Sequence, residues 1–151
     1  APVRRVVAPA PTPPPPPPTT APPAAPVRDA GAEAAYLRLL NNRRASQGLP
    51  ALQRLACLDR VAVPWAEHLA RTSSLAHSKD FPQRTDAACG PSWTSAGENV
   101  GRGHSVASLD EAFWASPTHR ENIVGDYPSV GIGVYVAPGG EHFVVVNFAR
   151  F

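Results

Sequence analysis

Near the C-terminus two runs of alternating residues flank a glycine turn, and both faces of both runs are largely apolar. Ile132, Val134 and Val136 alternate with Gly131, Gly133 and Tyr135. After Pro138-Gly139-Gly140 the pattern resumes, with Val144, Val146 and Phe148 alternating with Phe143, Val145 and Asn147. A period of two on either side of a glycine-containing turn predicts a β-hairpin. A strand wetted on one side carries polar residues there; these do not, so the sheet is expected to be covered on both faces. Gly131 and Gly133 share one face, which predicts the close approach of a packed helix.

The covering layers are sought upstream. Ala34, Tyr36, Leu37 and Leu40 have helical spacing within a segment from Ala32 to Gln47, and Gly48 sits where a left-handed cap belongs. A second helix is expected from Leu58 to Thr72, with Leu58, Ala62, Trp65 and Leu69 on one face; Pro64 inside it predicts a kink or a later start. His77 to Ser95 reads as a loop, and Glu98 to Val100 as a strand. Ser108-Leu109-Asp110-Glu111 matches a capping box and predicts a helix starting there. Ser116-Pro117 predicts a second N-cap, with Ser116 capping a short helix from Pro117 to Val124. Helices first, strands last and a doubly covered sheet make an α+β sandwich.

The N-terminus is of another kind. The first 26 residues hold 12 of the 19 prolines, including an unbroken run from Pro13 to Pro18. Proline offers no backbone donor, and the Ala and Thr around it bring little area to bury. Residues 1–30 are therefore expected to be a disordered proline-rich tether, and 31–151 one domain. The net charge is +2 and the basic residues are scattered, which leaves no footprint for nucleic acid. No apolar run reaches the roughly 20 residues that span a bilayer. A monomer is expected. Methionine is absent, and Ala1 ahead of a spacer is the start expected after removal of a signal peptide. In an exported chain Cys57 and Cys89 are expected to form a disulfide, stabilising by roughly 3–4 kcal/mol in the chain-entropy picture; two buried thiols are the alternative.

Four segments in order resemble the CAP superfamily (cysteine-rich secretory protein, antigen 5, PR-1) in its short bacterial form. They are Asn41-Asn42-Arg43-Arg44 followed by Gly48-Leu49-Pro50-Ala51-Leu52; Ala62-Val63-Pro64-Trp65-Ala66 leading to Leu75-Ala76-His77-Ser78 and Asp80; Gly97-Glu98-Asn99-Val100; and Trp114 to Ile123 followed by Val130-Gly131-Ile132-Gly133-Val134. The likeness covers residues 32 to 151. It implies an α-β-α sandwich with a central antiparallel sheet, an extracellular or cell-envelope setting, and a cleft of two histidines and two acidic residues that in several members binds a divalent cation. His77, Glu98 and His119 match three of those four positions. Members with the longer motif place a glutamate three residues after the tryptophan, where this chain has Pro117; Glu111 and Asp80 are the substitutes at hand.

Two imidazoles and a carboxylate suit one divalent cation, zinc or magnesium, with zinc taking water as its fourth ligand. His119 falls at the third position of its short helix, whose N-terminal partial charge keeps the ring neutral and able to ligate. Glu98 beside an apolar strand residue needs a partner if buried; its structural alternative is a hydrogen-bonding post for a loop. Asn99 is expected to serve backbone groups of its own turn. Ser78, Ser92, Ser95 and Ser116 lack the setting of a nucleophile elbow. The reading is a non-enzymatic extracellular binding module for an unknown ligand, lipid or protein. The alternative is a metal-dependent hydrolase acting on peptide or cell-envelope substrates.

Overall fold

The computed structural model describes residues 20–151, so the Pro13–Pro18 run and most of the expected tether lie outside the described residues. In chain order the elements are β1 (Val27–Arg28), α1 (Ala30–Ser46), β2 (Gln53–Arg54), α2 (Ala56–Thr72), α3 (Phe81–Cys89), β3 (Ser95–Gly103), α4 (Val106–Ala115), α5 (Pro117–Val124), β4 (Ser129–Val136) and β5 (His142–Arg150). The sheet runs β1-β4-β5-β3, antiparallel throughout, with the short β2 parallel beside β4. The expected hairpin is β4–β5, with Ile132 opposite Val146 and Gly140 in the left-handed region at φ 86°. No helix of the described residues is long and apolar enough to cross a membrane.

Alternation sorts the sheet into two cores. On one face Val130, Ile132, Val134, Val144, Val146 and Phe148 meet Tyr36 and Leu40 of α1, Phe113 of α4 and Ile123 of α5. On the other, Val100, Phe143 and Val145 meet Ala62, Ala66 and Leu69 of α2. The fold is thus an α-β-α sandwich, as the two apolar faces require. Gly131 and Gly133 are where α2 comes closest. A Cβ on Gly131 would stand 2.3 Å from the Leu58 carbonyl carbon, and one on Gly133 would stand 2.6 Å from the Ala62 carbonyl oxygen. Helix backbone fills the place of two side chains. Pro64 lies within α2 on its exposed side, where solvent can satisfy the carbonyl that its missing N–H leaves free.

Several local expectations are corrected. The segment from His77 to Ser95 is not all loop: α3 occupies Phe81–Cys89, with a proline in its first turn. It is short and weakly amphipathic, and its hold on the domain is tertiary. The Cys57–Cys89 disulfide (Cα–Cα 5.1 Å) ties its last residue to the first turn of α2, and Arg60 Nη2 donates to the Ala88 carbonyl at 2.9 Å. The start of α4 is capped by Ser105, not Ser108. Ser105 Oγ accepts from Ser108 N–H at 3.1 Å and Ser108 Oγ accepts from Ser105 N–H at 3.2 Å. The reciprocal pair needs only two hydroxyls, and Glu111 takes no part in it.

Residues before 31 also take part in the sheet and the first helix. Val27 and Arg28 pair with Val136 and Tyr135, and Asp29 caps α1 by accepting from Ala32 N–H at 2.8 Å. These residues read as linker because their partners lie elsewhere in the chain. Between β1 and β2 the outer edge of β4 has no strand beside it, and charged side chains take that role. Asp59 Oδ1 accepts from Ile132 N–H at 3.0 Å, Arg54 Nη2 donates to the Ile132 carbonyl at 3.2 Å, and Glu33 Oε1 accepts from Val134 N–H at 3.4 Å. Glu33, 1% exposed, is gripped by Arg28 (2.8 and 2.9 Å) and Arg54 (2.6 Å). Burial alone would push the Glu33 carboxyl up; the hydrogen bonds from Arg28 and Arg54 bring it below the ordinary carboxylate value.

Two outcomes follow. Gly131→Ala forces α2 off the sheet and is expected to lower stability by about 1–3 kcal/mol or more, read as a fall in the urea midpoint. Glu33→Ala strands two half-buried guanidiniums and a β4 amide, with an expected loss of about 3–5 kcal/mol by the same measurement. Because the folded Glu33 value is depressed, its contribution is present above the ordinary carboxylate range and is lost as pH falls through the folded value.

Candidate functional site

β3 is the last strand on its side of the sheet among the described residues, and the candidate residues gather over its outer edge from both helical layers. Glu98 points to the α2 side, in line with Val100; Asn99 points to the α4–α5 side. His77 arrives in the loop after α2. Trp65 Nε1 of α2 fixes that loop by donating to the Ala76 carbonyl at 3.0 Å. Glu98 Oε1 then takes two donors, the ring Nδ1 of His77 at 2.8 Å and the backbone N–H of Ser78 at 3.0 Å. With the carboxylate ionised, Nδ1 carries the proton and the lone pair lies on Nε2. The His77 ring is open to solvent, whereas the Glu98 side chain is 6% exposed. Its second oxygen, Oε2, is buried with no partner among the described residues. Burial pushes the Glu98 carboxyl above its ordinary value, and the hydrogen bond from His77 offsets this only in part.

His119 comes from the opposite layer. Ser116 occupies the N-cap position of α5 as expected, but its side chain makes no capping bond. Its Oγ lies 2.9 Å from His119 Nδ1 and 3.2 Å from Thr118 Oγ1. The ring packs on Phe113, centroids 4.7 Å apart. Asn99 does serve backbone, though not of its own turn: its Nδ2 donates to the His119 carbonyl at 3.0 Å. Asn122 Nδ2 donates to Asn99 Oδ1 at 2.8 Å and to the Glu98 carbonyl at 3.3 Å, binding α5 to the strand edge. The other end of α5 is held by buried Arg44, which donates to the Ile123 and Gly125 carbonyls, both at 2.9 Å. Burial first, and repulsion from His77 when that ring is protonated second, hold the His119 value below that of an ordinary imidazole.

His77, Glu98 and His119 are thus brought to one edge with distinct tasks. Both rings are held at Nδ1, and neither Nε2 has a hydrogen-bond partner among the described residues. Glu98 orients one of them. Among the described residues no group of three or more His, Cys, Asp or Glu side chains is arranged to hold a metal ion. Asp80 lies beside Ser78, accepting from its Oγ at 2.8 Å and paired with Arg84 at 2.9 Å. Glu111 does not reach it; its exposed carboxylate pairs with Arg43 Nη2 at 2.7 Å. The supports supplied by Ser116, Asn122 and the Ser78 N–H have no local signature in the sequence. Each is a short polar group whose partner is distant in the chain or serves a side chain in place of a helix end.

The architecture is an α-β-α sandwich that carries the candidate site residues along its β3 margin. The cysteine-rich secretory protein family (CAP) matches residues 37–148, and the chain belongs to that family. A comparison with curated protein sequences gives no match. Among solved structures the fold is shared with an outer surface protein from Borrelia burgdorferi, at TM-score 0.74 and 18% identity over 83% of this chain and 96% of that one. An extracellular protein containing a SCP domain from Bacillus anthracis gives TM-score 0.69 and 21% identity over 80% of this chain; the match spans 41% of that longer protein. A venom allergen-like protein from Schistosoma mansoni gives TM-score 0.66 at 11% identity, over 80% of this chain and 89% of that one.

Glu98→Gln keeps an acceptor for the His77 ring and the Ser78 N–H while removing a buried charge. Because burial raises the folded Glu98 value, the wild-type group disfavours folding as pH rises through and above the carboxylate range. The variant is expected to melt higher than wild type at pH 7, with the gap closing as the pH falls into the carboxylate range. Thermal melts across that range by circular dichroism check it.

Proposed function

We propose that the chain is an extracellular or cell-envelope binding module whose cleft presents the Nε2 atoms of His77 and His119 to one divalent cation. The observation that carries this reading is the tethering of both rings at Nδ1, by Glu98 and by Ser116, with Nε2 of each left without a hydrogen-bond partner among the described residues. The Glu98 carboxylate, an acceptor only, sets the His77 lone pair on Nε2, and the Ser116 hydroxyl accommodates either tautomer of His119. Imidazole donors suit zinc better than magnesium, which prefers an all-oxygen shell. A bound zinc ion would supply a Lewis-acid centre with positions open to water or ligand. Glu98 sets the ring orientation of His77, Asn99 and Asn122 set the height of α5, and Trp65 sets the loop. Glu98 offers the cleft no ready base, since Oε1 has two donors and Oε2 is buried. That favours binding over turnover. A lipid, a protein or a small polar molecule is the ligand class left to the surrounding surface.

The second reading is a metal-dependent hydrolase of peptide or cell-envelope substrates. It draws on the raised Glu98 carboxyl beside an imidazole pair, the kind of perturbed group that proton transfer uses. Isothermal titration of Zn²⁺ into metal-stripped protein tests the main proposal. Wild type is expected to bind one equivalent, with His77→Ala and His119→Ala each abolishing the heat. Absence of binding in wild type, or unchanged binding in both variants, overturns it. Turnover of a peptide and peptidoglycan panel by the zinc-loaded protein, lost in His77→Ala, would replace it with the hydrolase reading.

A further inference from the structure

Directly across the ladder from Glu98 stands Asn147 of β5, and across from that stands Gly131 of β4. Opposed residues in an antiparallel pair point to the same face with Cβ atoms about 4.5–5.5 Å apart. Asn147 therefore projects toward α2 beside the Glu98 carboxylate. It is 0% exposed, and neither its Oδ1 nor its Nδ2 has a partner among the described residues. Glu98 Oε2 is a third buried polar atom in the same row without one. Three orphaned atoms on two facing side chains are too many to be three unrelated defects. Each buried polar group left unpaired is costly to the fold. The third position of the row is glycine, with the α2 backbone at Leu58 against it, so no side chain from β4 can satisfy these atoms.

We infer that Asn147 is a positioning residue for the cleft, holding Glu98 Oε2 through at least one internal water bound between them. The water accepts from Asn147 Nδ2–H and donates to Glu98 Oε2, with Asn147 Oδ1 within its reach. Buried waters bind where two to four polar partners are in reach, and three unpartnered polar atoms lie on these two facing residues. The chain of contacts then runs from the centre of the sheet outward: Asn147, water, Glu98, the His77 ring. Its far end is a solvent-exposed imidazole whose Nδ1–H tautomer is fixed by a carboxylate that is itself fixed from behind. A second anchor matters because Oε1 alone would leave the carboxylate free to rotate about its own axis and release the ring.

The site itself does not require a metal; its consequence for cation affinity rests on the reading proposed above. Two readouts on metal-free protein test it. Rotating-frame Overhauser spectra are expected to show a long-lived water at the Asn147 side-chain amide protons in wild type. Nitrogen-15 shifts of His77 are expected to report one tautomer, protonated at Nδ1. Asn147→Val, which removes both polar atoms and keeps a strand-favouring shape, is expected to lose the water and to mix the His77 tautomers. Asn147→Ser, small and still hydrogen-bonding, is expected to retain the water and the single tautomer, and it serves if the valine variant fails to fold. With Zn²⁺ added, affinity in Asn147→Val is expected to fall on the order of tenfold to a hundredfold. Absence of the water signal in wild type, or a folded Asn147→Val with an unchanged His77 tautomer, overturns the inference. If wild type binds no zinc while the water and tautomer results hold, the cation reading fails and the positioning role stands.

Discussion

The contact on which the molecule rests is the direct seating of α2 on β4 at Gly131 and Gly133. With no side chains at those positions, the backbone around Leu58 and Ala62 settles against the strand, and Ala66 and Leu69 continue the contact along the helix. Interiors pack at crystal-like density, so a helix that sits this low can adopt only one placement. From that placement the rest of its layer is set. The first turn of α2 carries Cys57, which fixes α3; its middle carries Trp65, which fixes the Ala76 carbonyl; its end releases the loop that brings His77 to Glu98.

The two outer edges of the sheet are handled in opposite ways. Exposed strand edges invite pairing with other chains. On the β4 side the amides and carbonyls are met in turn by β2, by Asp59, Arg54 and Glu33, and by β1. On the β3 side the edge is left to α5 and to side chains: Asn122 covers the Glu98 carbonyl, and Asn99 reaches out to the His119 carbonyl. The first edge is closed by strong charge pairs that hold chain to chain. The second is closed by amides and imidazoles, groups that leave nitrogen atoms without a partner in the described structure.

That difference gives Glu98 its character. One carboxylate oxygen organises a ring and a loop, and the other faces inward with Asn147 as its neighbour across the strand pair. Orientation of a ligating imidazole by a carboxylate is the usual outer shell of a metal site. Here the pair stands between the sheet and solvent, so an exposed imidazole is held by a buried carboxylate.

Much of this was legible in the sequence. The apolar faces of residues 130–148 required a doubly covered hairpin, and the paired glycines announced a close helix. The positions of His77, Glu98 and His119 stood out through their resemblance to a family, and the structure sets His77 on Glu98 and ties the His119 backbone to Asn99. Local chemistry, written over neighbours two to four residues apart, carries such signals. What failed to show were the interactions whose partners are far along the chain. α3 is held by a disulfide and one arginine, Arg28 and Asp29 belong to the sheet and a helix cap, and Ser116 serves a ring where a capping role was expected. The division of tasks among the three cleft residues is of the same kind. Residue identity and spacing determined which groups could meet. Only the packed tertiary structure decided which nitrogen of each ring is held and which carboxylate oxygen is buried. Those outcomes depend on distances set by the seating of whole helices on the sheet.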